Sequence, residues 1–206
     1  MAKIKGTFNF SKLNLMVEDN KDFFKPIWKQ IRIVTKSKIM ESVIISVTPI
    51  HKTVEFKSYS RFIRNILPNI TRTLQITHSV ISNKEFLNLI SASKHLKTLQ
   101  FNRCEINLSK IKISSSIKFS LQHLRFEECP FLFEKSNSTL KDLLSSISKS
   151  SLKDSLKSLH TNYHLMTGTE LYTLLKELSL SALQVYGYGQ IENYPKEVKK
   201  KNCVVF

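Results

Sequence analysis

One pattern constrains this chain more than any other, and it occurs twice in the same register. Leu96-Lys97-Thr98-Leu99-Gln100-Phe101-Asn102-Arg103-Cys104-Glu105-Ile106 is matched by Leu121-Gln122-His123-Leu124-Arg125-Phe126-Glu127-Glu128-Cys129-Pro130-Phe131. Both read apolar-x-x-Leu-x-Phe-x-x-Cys-x-apolar, and they start 25 residues apart. Leu-x-Phe is the alternation of a strand with one apolar face. A unit of that length holds one strand and one return segment. It is too small to bury its own apolar side, so copies must stack on one another.

Weaker copies extend the pattern in both directions. Thr71-x-x-Leu74-x-Ile76-x-x-Ser79-x-Ile81 keeps the 25-residue phase with Leu96, despite polar Thr71 and Ser79. Met40-x-x-Val43-x-Ile45-x-x-Thr48-x-Ile50 precedes it, and Phe10-Ser11-Lys12-Leu13-Asn14-Leu15 is a weak first copy. Downstream, Leu156-x-x-Leu159-x-Thr161-x-x-His164-x-Met166 is degenerate at Thr161, and Leu180-x-x-Leu183-x-Val185 is the last. Helical spacing appears between the copies. It places one helix over Asp22 to Ile31, carrying Phe23, Phe24, Ile27, Trp28 and Ile31 as a candidate end cap. A second stripe holds Phe62, Ile63, Ile66, Leu67 and Ile70, with Pro68 near its end. A third holds Phe86, Leu87, Leu89 and Ile90 behind a Ser82/Glu85 capping box. Leu140, Leu143, Leu144 and Ile147 form a fourth in a serine-rich insert, with Thr139 and Asp142 as candidate caps. Leu171, Leu174, Leu175 and Leu178 form a fifth after a Thr167/Glu170 box. The return between Ile111 and Phe119 alternates more than it spirals, so a short or irregular connection is expected there.

With two full copies in register, the chain resembles the leucine-rich-repeat family, close to its cysteine-containing subclass. That resemblance covers about residues 10 to 188. It implies an α/β fold: a leucine-rich-repeat solenoid, or horseshoe, with parallel strands on the concave side and helices on the convex side. Residues 1–189 would form the domain, with about six repeats, and 190–206 a basic C-terminal tail. Repeats of this subclass are similar to those of F-box substrate receptors in ubiquitin ligases. Residues 1 to 60 hold no F-box pattern, so the likeness extends to the substrate-binding half of such a receptor.

Strand alternation sends Leu99 and Phe101 inward and their neighbours outward. The outward set is Thr73, Gln75 and Thr77; Thr98, Gln100 and Asn102; His123, Arg125 and Glu127; Ser158, His160 and Asn162; and Gln184 with Tyr186. From it, Gln75, Thr77, Thr98, Gln100, Asn102, His123, Arg125, Glu127, His160, Asn162 and Gln184 are the candidate partner-binding residues. They are polar, mostly neutral and mixed in sign, which suits recognition of another protein through hydrogen bonds. They do not make the basic stripe that phosphate tracking needs. The formal net charge of +16 admits two readings: a lysine-rich solvated surface, or nucleic-acid binding by convex lysines. The abundance of Lys, Ile, Asn, Phe and Ser together favours the first.

Cys104 and Cys129 occupy an inward repeat position, where a buried small residue is expected. Three cysteines in all fit a reduced protein better than a disulfide framework. No metal-ligand spacing, glycine-rich phosphate loop, HExxH or nucleophile elbow is present in the sequence, so neither a cofactor nor catalysis is expected. No apolar run reaches the length of a membrane span, and a cytoplasmic location is expected. The chain ends in Cys203-Val204-Val205-Phe206, which fits a C-a-a-X prenylation pattern whose final Phe directs geranylgeranyl. Lys196, Lys199, Lys200 and Lys201 precede it, offset by Glu192 and Glu197. Cys203 is therefore a candidate lipid acceptor, and a peripheral membrane fraction would follow from its modification. Coincidence in a short basic tail is the alternative.

Overall fold

Alternating burial decides the strands. The computed structural model describes residues 12–17, 39–47, 54–58, 60–92, 94–108, 111–129, 139–162, 178, 182–186 and 203–205. Within them the chain runs β1 (Lys12–Val17), β2 (Met40–Val47), β3 (Val54–Glu55), α1 (Ser60–Ile66), β4 (Ile70–Thr77), β5 (Ser79–Ile81) and α2 (Asn83–Ala92). It continues with β6 (Thr98–Asn102), β7 (Glu105–Ile106), β8 (His123–Glu127), α3 (Thr139–Ser148), α4 (Leu152–Ser155), β9 (Ser158–Asn162), β10 (Ala182–Tyr186) and β11 (Cys203–Val205). The fold is mixed α/β. Its main sheet is parallel throughout, in the order β1-β2-β4-β6-β8-β9-β10-β11. A second, narrow parallel sheet has the order β3-β5-β7.

Register aligns like with like. Val43, Leu74, Leu99, Leu124 and Leu159 stand side by side, as do Ile45, Ile76, Phe101 and Phe126. All nine are fully buried, and each contributes about 1.5–3 kcal/mol by leaving water. A slip of one residue would send the whole set to the opposite face, so burial pins the register. Phe101 and Phe126 stack at 5.5 Å between ring centroids, and Phe86 of α2 closes on them at 5.8 and 6.2 Å. One helix side chain thereby ties the crossover to the inward face of two strands.

Parallel neighbours need such crossovers, and local sequence starts and stops them. The expected capping box is formed: Glu85 N–H donates to Ser82 Oγ at 3.3 Å, and Ser82 N–H donates back to Glu85 Oε2 at 2.9 Å. α2 then buries Phe86, Leu89 and Ile90, and α3 buries Leu143, Leu144 and Ile147. The helix around Pro68 corrects the expected stripe. α1 stops at Ile66, Leu67–Asn69 forms a 3-10 turn, and Ile70 opens β4. Ile70 is fully buried and stands opposite Met40, and the register then shifts before Ser42 meets Thr73. This irregularity lets Ile70 take the inward place the pattern had assigned to Thr71. Thr71 is half-buried and donates its hydroxyl to Met40 O at 3.3 Å.

The 111–120 return has no helix, as its pattern indicates, yet Ile111 and Ile113 are buried. The serine-rich insert supports this backbone. Ile113 N–H donates to buried Ser146 Oγ at 2.6 Å, and Ser151 Oγ donates to Ile117 O. At the far edge, Cys203–Val205 pairs in parallel with Leu183–Val185. The last residues were expected as a free basic tail, but these three add a strand to the sheet. The expected helices over Asp22 to Ile31 and Leu171 to Leu175, the Thr167/Glu170 box and the tail lysines lie outside the described residues. Leu178 is described and buried.

Candidate functional site

Three turns set the ends of the strands. His78, Arg103 and Glu128 all hold left-handed backbone, at φ 48°, 51° and 47°. For residues other than glycine this costs on the order of 1 kcal/mol each. Each is followed by a buried small polar residue: Ser79, Cys104 or Cys129. Cys104 Sγ donates to Ile76 O and Asn102 O, both at 3.4 Å. Cys129 Sγ donates to Phe101 O at 3.6 Å and Glu127 O at 3.3 Å. Ser79 Oγ donates to Thr77 O at 2.9 Å. The thiols thus link each turn to the preceding strand. Burial pushes the Cys129 thiol up to about 12, and burial likewise raises Cys104. Neither forms the thiolate that reactivity or metal binding needs at neutral pH.

The strands between these turns present the polar face. Its middle row is Gln75, Gln100, Arg125, His160 and Gln184, aligned by register. A second row is Thr73, Thr98, His123 and Ser158. Gln75, Thr98, Gln100, Asn102, His123, Glu127 and His160 are half-buried and Arg125 is exposed. Thr77 departs from the expectation: it is 8% exposed and therefore buried. Its short side chain sits opposite Asn102 at the point where the chain bends into the His78 turn. Asn162 and Gln184 keep their strand positions, but their side chains lie outside the described residues.

Polar side chains on this face hold one another across strands. Gln100 Nε2 donates to Glu127 Oε2 at 2.8 Å. His123 Nδ1 and Ser158 Oγ share a hydrogen bond of 2.7 Å. Burial lowers the His123 pKa below its usual 6.5, and the cations Arg125 and Lys157 lower it further. His160 is also lowered, by burial first. Glu127 opposes that shift, and Arg125 adds to it. Both rings are therefore mainly neutral at pH 7, and Arg125 and Glu127 carry the fixed charges that β8 adds to this face.

Two lysines beside this face were missed in the sequence. Lys97 and Lys157 immediately precede Thr98 and Ser158, at equivalent places where β6 and β9 begin. Backbone bonds seat them next to His123: its N–H donates to Lys97 O at 2.9 Å, and Lys157 N–H donates to Gln122 O at 2.7 Å. The usable signal was their shared offset from the repeat leucines, which alternation alone does not weigh.

Among the described residues, no group of three or more His, Cys, Asp or Glu is placed to hold a metal ion, and no helix is long and apolar enough to cross a membrane. No protein-family model matches the chain, and no curated protein matches it.

Proposed function

We propose that this chain is a leucine-rich-repeat solenoid whose concave strand face binds another protein, as a non-catalytic interaction scaffold. The observation that carries the reading is the in-register row Gln75, Gln100, Arg125 and His160 over a continuous apolar layer. Each strand contributes one adaptable polar side chain at the same height. The recurring left-handed turn, followed by an inward Ser or Cys, supports the repeat reading independently. Stacked units of this kind build extended recognition surfaces, and rigid strands hold contacting side chains more accurately than loops do.

The test is site-specific photo-crosslinking in the native cell. A photo-reactive residue at position 75 or 100 is expected to capture one discrete partner protein, and the same residue at position 84 on exposed α2 is not. Capture from position 84 alone would place binding on the helical side and refute the concave assignment. Nucleic-acid binding by convex cations is the second reading. Exposed Arg61, Arg64 and Lys84 on the helices favour it. It requires retention on RNA or DNA that falls steeply with salt.

A further inference from the structure

The polar face is not electrically uniform along the strands. Where the strands begin, Lys97 and Lys157 flank His123 on either side, and exposed Arg125 stands two residues beyond His123 on β8. Thr98, His123 and Ser158 lie between these cations in one row. Where the strands end, the fixed charge reverses. Glu127 ends β8 and Glu128 follows it in the left-handed turn. Arg103, the cation at that end, is joined to Glu128 at 2.6 Å. The face thus runs from a cationic end to an anionic one within the length of a five-residue strand.

We propose that the cationic end, formed by Arg125 and Lys157 around Thr98, His123 and Ser158, is a docking site for an acidic protein segment. The inference rests on the scaffold reading above and specifies the partner's chemistry and orientation. Charge complementarity selects the occupant, because carboxylates meet two cations and neutral hydrogen-bonding groups at this end. A hydroxyl and an imidazole between the cations offer short polar contacts to carboxylate oxygens. The same carboxylates are repelled at Glu127 and Glu128, so the segment lies with its acidic part at the strand N-termini. A net charge of +16 steers such a partner toward the chain before contact. Arg125 and Lys157 both lie close enough to His123 to lower its pKa, after the larger effect of burial.

An oligoglutamate peptide is the probe, with an oligoglutamine peptide of equal length and a single-stranded RNA as comparisons. Affinities are measured by fluorescence anisotropy for wild type, for Arg125→Glu with Lys157→Glu, and for Arg61→Glu with Lys84→Glu. The last pair makes the same change in net charge on the helices. The site variant is expected to lose about tenfold in affinity for oligoglutamate at low salt, and the helix variant well under half of that on a logarithmic scale. Equal losses in both variants would reduce the effect to net charge and overturn the site. Equal binding of oligoglutamine would overturn it as well. Tighter binding of RNA, lost in the same site variant, would make nucleic acid the occupant. Should the charge reversals unfold the chain, Arg125→Gln with Lys157→Gln keeps the comparison. Photo-capture at position 75 or 100 that survives in the site variant would leave the scaffold reading standing and remove this one alone.

Discussion

Phe101 is the residue at which the packing makes its sharpest demand. It is fully buried, and its ring lies 5.5 Å from Phe126 and 5.8 Å from Phe86. Removing a buried Phe side chain costs about 3–5 kcal/mol, from lost transfer energy and the cavity left behind. Each favourable ring pair accounts for about 0.5–1.5 kcal/mol beyond area alone. Phe101→Ala loses both pairs, so the upper part of the first range applies. Domains of ordinary stability hold only about 5–15 kcal/mol in total, so this variant should be close to unfolding. Phe101→Leu keeps most of the apolar volume, forfeits the ring pairs and should cost about 1–2 kcal/mol. The neighbouring Gln100 points to the other face, where its bond to Glu127 is only half-buried. Gln100→Ala should therefore cost under about 1 kcal/mol. Urea unfolding followed by far-ultraviolet circular dichroism measures all three, provided the denaturant slope is unchanged. The Phe101→Leu and Phe126→Leu pair should couple by about 0.5 kcal/mol or more in a double-mutant cycle. Equal destabilisation by Phe101→Leu and Gln100→Ala would refute the strand register, and zero coupling would refute the ring contact.

Ser82→Ala removes one half of the α2 capping box and should lower stability by about 1 kcal/mol; an unchanged urea midpoint would show that the cap contributes nothing. His123 and His160 bind protons less readily folded than unfolded, so the unfolded chain takes up more protons as pH falls through about 6.5. Their contribution to stability is therefore complete above that pH and declines below it. His123→Gln with His160→Gln should flatten the dependence of the urea midpoint on pH between neutrality and the onset of carboxylate titration. In a Cys203→Ser background, Cys104 and Cys129 should resist iodoacetamide until urea unfolds the chain, since both thiols are buried and held protonated. Fast alkylation of the folded protein, read by intact mass, would contradict their placement.

What local periodicity reports is which side of the backbone a residue takes. It was therefore enough for the inward column from Leu74 to Phe126, for the polar row opposite and for the caps at Ser82 and Glu85. It also marked the 111–119 return as irregular, while the inward place of Cys104 and Cys129 came from the repeat resemblance and the usual burial of a free thiol. Other features depend on what a neighbouring strand offers, which no window of sequence contains. The β3-β5-β7 sheet has members of two or three residues, too short to show a period of two. The left-handed turns carry His, Arg and Glu rather than Gly or Asn, so the turn residues themselves do not mark them. Ile70 displaces Thr71 because an apolar site beside Met40 had to be filled, and a register shift cost less than burying a hydroxyl there. Ser146 and Ser151 look like solvated insert residues until Ile113 and Ile117 are seen to need partners. Thr77 is covered, Lys157 comes close to His123, and Cys203–Val205 joins β10. Each of these follows from the order of strands in space. The sequence determined the faces of each element, whereas tertiary structure decided which faces meet, because burial and hydrogen bonding are settled between segments far apart in the chain.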